Sequence, residues 1–112
     1  MTEAAQPGAM QALLGLDRVI HEPVRLAILS LLAGAQEAEF KFLESTLGLS
    51  KGNLSSHAAK LEEAGYLQTH KAFRGKVPVT SYCITTAGRQ ALDRYWAALR
   101  GAAPAPAETQ PG

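Results

Sequence analysis

One cysteine, Cys83, stands in a chain of 112 residues, so no internal disulfide can form and no thiolate cluster can hold a metal within one subunit. Its setting, Tyr82-Cys83-Ile84, reads as a buried strand thiol rather than a redox sensor. The three histidines, His21, His57 and His70, are scattered without paired ligand spacing, and no metal site is expected. There is no apolar run long enough to cross a bilayer, and the N-terminus lacks a basic flank followed by an apolar signal core. That reads as a cytoplasmic protein with no membrane partner. Catalytic constellations are missing too. No Ser-His-acid or Cys-His arrangement is suggested, Glu62-Glu63 reads as a solvated pair at a helix end, and Arg74-Gly75-Lys76 is too short to cradle a nucleotide. Neither an enzyme nor a cofactor is expected.

Net charge is nearly absent as well, at +1, yet the charge is sorted by region. Lys51, Lys60, Lys71, Arg74 and Lys76 against Glu62 and Glu63 put +3 between residues 51 and 76, which leaves −2 elsewhere. Such sorting suits a polyanionic partner. Apolar residues make up 46% of the chain, enough for one domain with a modest core over residues 9–100. Residues 1–8, with Pro7-Gly8, read as disordered, and the Ala/Pro-rich residues 101–112 read as a low-complexity disordered tail.

Periodicity supplies the elements. A first helix is predicted from about Met10 to Ile20, with Leu13, Leu14, Leu16 and Ile20 giving it more apolar surface than a small core needs. His21-Glu22-Pro23 breaks it and opens a second helix, since proline is tolerated at the first helical position. Val24, Ala27, Ile28, Leu31 and Leu32 form a broad stripe there, and Gly34 is expected to end it in a left-handed conformation. Residues 37–39 read as a short strand or loop. Phe40, Leu43 and Leu47 mark a third helix leading into Gly48. A fourth helix spans about Lys51 to Ala64 and ends at Gly65. Tyr66 to Lys71 and Val79 to Thr85 read as antiparallel strands joined by a loop that holds Gly75 and Pro78. Thr86 is expected to cap a last helix with Leu92, Tyr95, Trp96 and Leu99 at i, i+3, i+4 and i+7.

The chemistry concentrates between residues 48 and 76. Gly48 permits a tight turn between two helices, and Ser50 can cap the second. Leu54, Ala58 and Leu61 bury one face, which leaves Lys51, Gly52, Asn53, Ser56 and Lys60 pointing away from the core. Asn53 can offer a donor and an acceptor to a base edge, Ser55 and Ser56 can contact bases or phosphates, and Gly52 lets the backbone approach closely. Ser55 and His57 flank the buried stripe, where His57 reads equally well as an interfacial histidine. In the hairpin, Arg74 suits a phosphate or a narrow minor groove, Lys71 and Lys76 can neutralise phosphates, and Gly75 lets the tip turn. Phe73 reads as packed at the hairpin base rather than stacked on a base, though both roles are open to it.

The order helix, helix, helix-turn-helix, β-wing, helix resembles the winged-helix bacterial regulators of the MarR-like and ArsR-like kind, over roughly residues 13–99. The stretches His21-Glu22-Pro23-Val24-Arg25-Leu26-Ala27-Ile28-Leu29, Gly52-Asn53-Leu54-Ser55-Ser56-His57, Lys60-Leu61-Glu62-Glu63-Ala64-Gly65-Tyr66-Leu67 and Thr85-Thr86-Ala87-Gly88-Arg89 carry the resemblance. It implies an α+β, mainly α fold: a winged helix-turn-helix with a two- or three-stranded β-wing and terminal dimerisation helices. It also implies a homodimeric regulator, read as a repressor, that places recognition helices in successive major grooves of a roughly palindromic double-stranded DNA site. The dimer contacts would come from Leu13, Leu14, Leu16 and Ile20 with Leu92, Tyr95, Trp96 and Leu99, the alternative being that these stripes pack only within one subunit. Larger MarR-like proteins often bind a small-molecule effector, so such a ligand is a candidate partner that no residue here marks. The competing reading is a winged-helix protein-interaction module without specific DNA binding.

Overall fold

The computed structural model describes residues 7–102, in the order α1 (Pro7–Leu14), α2 (Pro23–Ala33), β1 (Ala38–Glu39), α3 (Phe40–Leu47), α4 (Lys51–Glu63), β2 (Leu67–Arg74), β3 (Val77–Ile84) and α5 (Thr86–Ala102). This is the expected mainly helical winged-helix arrangement, with a sheet of three strands. Most of the segments expected to be disordered, residues 1–6 and 103–112, lie outside the described residues. Pro7-Gly8 and Gly101-Ala102 fall within α1 and α5.

The first helix is shorter than its apolar pattern predicts. It stops at Leu14, and Asp17 then closes a turn by accepting the N–H groups of Val19 at 2.9 Å and Ile20 at 3.3 Å. Glycine at 15 weakens the helix, and an aspartate that bonds nearby backbone competes with its continuation. The chain therefore bends, and Leu16 and Ile20 enter the core instead of extending an exposed stripe.

Glu22 caps α2 by accepting from the Arg25 N–H at 2.7 Å, ahead of Pro23 in the first turn. The helix ends at Gly34 with φ −94°, not in the expected left-handed conformation. The N–H groups of Gly34 and Ala35 instead reach back three residues to Leu31 and Leu32, tightening the last turn. Arg89 of α5 donates to the Ala33 carbonyl at 3.0 Å, a cation at the carbonyl end of the helix. Between α3 and α4, Gly48 does take the left-handed conformation, with φ 64°, which a side chain would strain.

The sheet runs β1-β3-β2, antiparallel throughout. β1 pairs only with Ser81 and Tyr82, so among the described residues β3 has no strand on its outer side from Val77 to Thr80. Ile20, Ile28, Leu29, Leu32, Leu43, Leu54 and Leu61 are fully buried and join α2, α3 and α4 beneath the sheet. Burying each such side chain contributes roughly 1.5–3 kcal/mol.

The start of α5 is set one residue earlier than predicted. Thr85, not Thr86, is the cap: its hydroxyl accepts from the Gly88 N–H at 2.9 Å and donates to the Gly65 carbonyl at 2.6 Å. Gly88 is required by a close approach, because a Cβ there would lie 2.2 Å from the Tyr66 carbonyl oxygen. Further along α5, Leu92 and Tyr95 are buried within the subunit. The Tyr95 hydroxyl lies 2.9 Å from His21 Nδ1, and its ring meets Trp96 edge-on at 5.4 Å.

Candidate nucleic-acid interface

The site is built on α4. Ser50 caps it by accepting from the Asn53 N–H at 3.1 Å, and Leu54, Ala58 and Leu61 anchor its inner face in the core. Lys51, Gly52, Asn53, Ser55, Ser56 and Lys60 are all exposed. Ser55 lies on the flank toward the wing, in a cleft with Thr69, Lys71 and Thr80. Lys60 lies on the other flank beside Arg18 and Arg25. The first half of the helix thus presents small polar groups at its positive dipole end, while Glu62 and Glu63 place carboxylates at the far end.

His57 is half-buried and turned toward α2. Its Nδ1 lies 3.2 Å from Arg25 Nη1 and 3.7 Å from Glu22 Oε1. A guanidinium can only donate, so Nδ1 is the acceptor and that edge of the ring is occupied inside the subunit. Arg25 was not singled out from the sequence as a site residue, yet it joins three segments. Its Nε donates to the Val19 carbonyl at 2.6 Å and its Nη2 to the Arg18 carbonyl at 3.4 Å. It thereby ties the turn after α1, the cap of α2 and the face of α4. The signal lay in the quoted stretch around Pro23, but nothing local tells what Arg25 reaches.

The wing is longer and tighter than predicted. Its strands run to Arg74 and from Val77, joined by the two residues Gly75 and Lys76. Gly75 has φ 67°, as two-residue hairpin turns demand. Lys71, Arg74, Gly75 and Lys76 are exposed. Phe73 does not pack at the wing base: it pairs with Pro78 near the tip and is 73% exposed. Arg74 is engaged, its Nη2 meeting Glu39 Oε2 at 2.5 Å. That hydrogen bond, aided by the carboxylate charge, holds the guanidinium even more firmly protonated than usual.

At the root of the wing, the Tyr66 hydroxyl donates to Asp17 Oδ2. This bond, with burial and the aspartate charge, raises the Tyr66 pKa above its ordinary value. Cys83 is half-buried rather than buried, with Sγ 3.8 Å from Gln68 Oε1. Among the described residues, no three His, Cys, Asp or Glu side chains are grouped to hold a metal ion, and no helix is long and apolar enough to cross a membrane.

Of the eight side chains expected at a dimer interface, four are unavailable. Leu16, Ile20, Leu92 and Tyr95 belong to the core, because the bend after Gly15 and the packing of α5 carry them inward. Leu13 and Leu14 are exposed, Leu14 at 78%, together with Met10, while Trp96 and Leu99 are partly buried.

A capped helix projecting beyond a tight turn, followed by a two-stranded wing, defines a winged helix-turn-helix. The chain matches the winged helix DNA-binding domain family over residues 24–102 and belongs to it. It is 40% identical over 79 residues to an uncharacterized protein of Methanocaldococcus jannaschii, covering 70% of this chain and 85% of that one. Among solved structures it resembles a transcriptional regulator homologue from Pyrococcus horikoshii, with TM-score 0.75, 28% identity and coverage of 86% and 93% of the two chains. It shares the fold of the transcriptional repressor BigR from Xylella fastidiosa, with TM-score 0.59, 21% identity and coverage of 86% and 92%.

Proposed function

We propose that this DNA-binding regulator is sequence-specific and acts in the cytoplasm as a homodimeric repressor on a roughly palindromic double-stranded site. The observation that carries this is the first half of α4: capped, anchored from behind, and open to solvent at Lys51, Gly52, Asn53, Ser55 and Ser56. Asn53 would read a base edge, Ser50, Ser55 and Ser56 would contact bases or phosphates, and Lys51 and Lys60 would fix register on phosphates. Lys71, Arg74 and Lys76 would follow the adjacent backbone, with Gly75 shaping the tip. His57 would serve chiefly by holding α4 against α2. Glu62 and Glu63 would repel phosphate, which assigns the duplex to the N-terminal half of the helix.

The second subunit would cover Met10, Leu13 and Leu14 of α1, with Trp96 and Leu99 at the margin, since exposed leucines on one short helix are an unusual surface for a monomer. Occupancy of a promoter is sufficient for repression, and the likeness to BigR supports that direction. The docking-module alternative draws on the exposed rings of Phe42 and Phe73.

One titration tests the specificity and the stoichiometry. Purified protein would be added to fragments of its own upstream region and to unrelated DNA at two salt concentrations, with stoichiometry measured in parallel. Tight, salt-sensitive binding of two subunits to one upstream site is the expected outcome. Weak, equal binding to both DNAs would transfer the reading to the docking module.

A further inference from the structure

Arg74 lies two residues from Gly75-Lys76's far end and is the wing's one arginine, yet in the free protein it is tied across the sheet to Glu39. Glu39 sits at the N-cap of α3 without making a side-chain cap bond, so its carboxylate is directed to the wing instead of its own helix. Among the described residues, neither Lys71 nor Lys76 has a carboxylate at ion-pair distance. The tie is specific to the arginine.

Strand alternation decides what the tie does. Thr69 and Lys71 of β2 share the face that opens on Ser55 and Ala59 of α4. Arg74 is out of phase with them and lies on the opposite face, over Val77 and beside Glu39, which itself pairs with Ser81. While the ion pair is formed, the guanidinium is therefore held on the side of the hairpin turned away from the recognition helix. Both partners are open to water, at 70% and 41% exposure, and they border an open cleft of about 270 Å³. An exposed pair is weak and exchangeable, and a phosphate offers the same acceptor chemistry to the same donors. The backbone of Glu39 is held by the pairing of β1 with β3, and two residues before it Glu37 accepts from the Ser81 hydroxyl.

We propose that Glu39 competes with DNA phosphate for Arg74, so that the wing arginine is withheld in the free protein and released to the backbone of a bound duplex. The proposal rests on the DNA-binding reading above and names the residue that sets the wing's contribution to affinity. Glu39 is thus a positioning residue that acts through Arg74.

The test is a double-mutant cycle with Glu39→Gln and Arg74→Ala, read by fluorescence anisotropy on a duplex the wild-type protein has selected from a randomised pool. Glu39→Gln should tighten binding roughly two- to five-fold, the strength of one exposed ion pair. In the Arg74→Ala background the same change should leave affinity unaltered. Melting temperatures measured alongside should match the wild type, since both side chains are exposed. An equal gain with and without Arg74 would overturn the proposal and reduce Glu39 to a repelling charge. A loss on Glu39→Gln would overturn it in the other direction, making the pair a preorganising contact. If the wild type selects no duplex, the DNA-binding reading itself fails and the competition with it. Binding without the Arg74-dependent gain removes only the competition.

Discussion

At its root the β2–β3 hairpin is part of the core: Leu67, Ser81, Tyr82 and Ile84 are buried, Tyr66 is bonded to Asp17, and Gly88 presses against the Tyr66 carbonyl. From His70 to Pro78 every residue of the same two strands is exposed, and the Arg74–Glu39 pair is the side-chain tie back to the body among the described residues. One element thus obeys two sets of constraints. Packing fixes the root, where a misplaced methyl group meets backbone, whereas the tip is held by ladder bonds and one weak pair. Substitutions at the root should change stability, and substitutions at the tip or on the open face of α4 should change binding alone.

The largest test of that division is Gly88→Ala. Its Cβ would overlap the Tyr66 carbonyl, and overpacking against backbone should destabilise by about 3 kcal/mol or more, read as a lower urea midpoint. A loss under about 1 kcal/mol would show that the root can yield. Next in size is Asn53→Ala. It should cost roughly 1–3 kcal/mol on the preferred duplex, leave non-specific binding nearly unchanged and not shift the melting temperature. Equal losses on both DNAs would remove Asn53 from base reading.

Tyr66→Phe should cost about 1 kcal/mol by deleting one hydrogen bond. It should also change the response to alkali. Tyr66 is raised first by its bond to Asp17, and Tyr82 is raised mainly by burial and further by Glu62. Groups whose folded pKa is raised contribute stability that is present below the unfolded value, about 10, and lost as pH rises through the folded values. Stability should therefore fall above about pH 10, and Tyr66→Phe should make that fall shallower in denaturant titrations at successive pH values. An unchanged slope would remove the Asp17 bond from the account. Smallest is Arg74→Ala, which should leave stability untouched and lower the salt slope of DNA binding by about 1 if the side chain meets one phosphate.

Where sequence and structure agree, the signals are local. The turn-forming glycine before α4, the Ser50 cap and the stripe of Leu54, Ala58 and Leu61 each depend on neighbours within a turn or two. Where they part, the determinant is distant or competitive. The apolar pattern from Met10 to Ile20 fits a helix, but Gly15 and Asp17 outweigh it by offering a turn, and Leu16 and Ile20 change sides as a result. Glu39 and Arg74 are 35 residues apart, and Arg25 and His57 are 32 apart. Neither pairing leaves a periodic trace. Phe73 shows the limit of residue-type reasoning, because hydrophobicity suggested burial at a position the hairpin carries beyond the core. Thr85 displaces Thr86 as the cap because its hydroxyl also reaches the Gly65 carbonyl, a contact made across the hairpin.

Among the described residues, the stretch of β3 from Val77 to Thr80 has no strand on its outer side, and Pro78 stands within it. A bare strand edge is a template on which other chains can stack, and proline there spoils the row of donors such stacking needs. The residue that sits awkwardly in the ladder of the wing is then a guard against fibres. It allows the hairpin to stand out from the body of the molecule, as the proposed contact with a duplex requires, without recruiting its own kind.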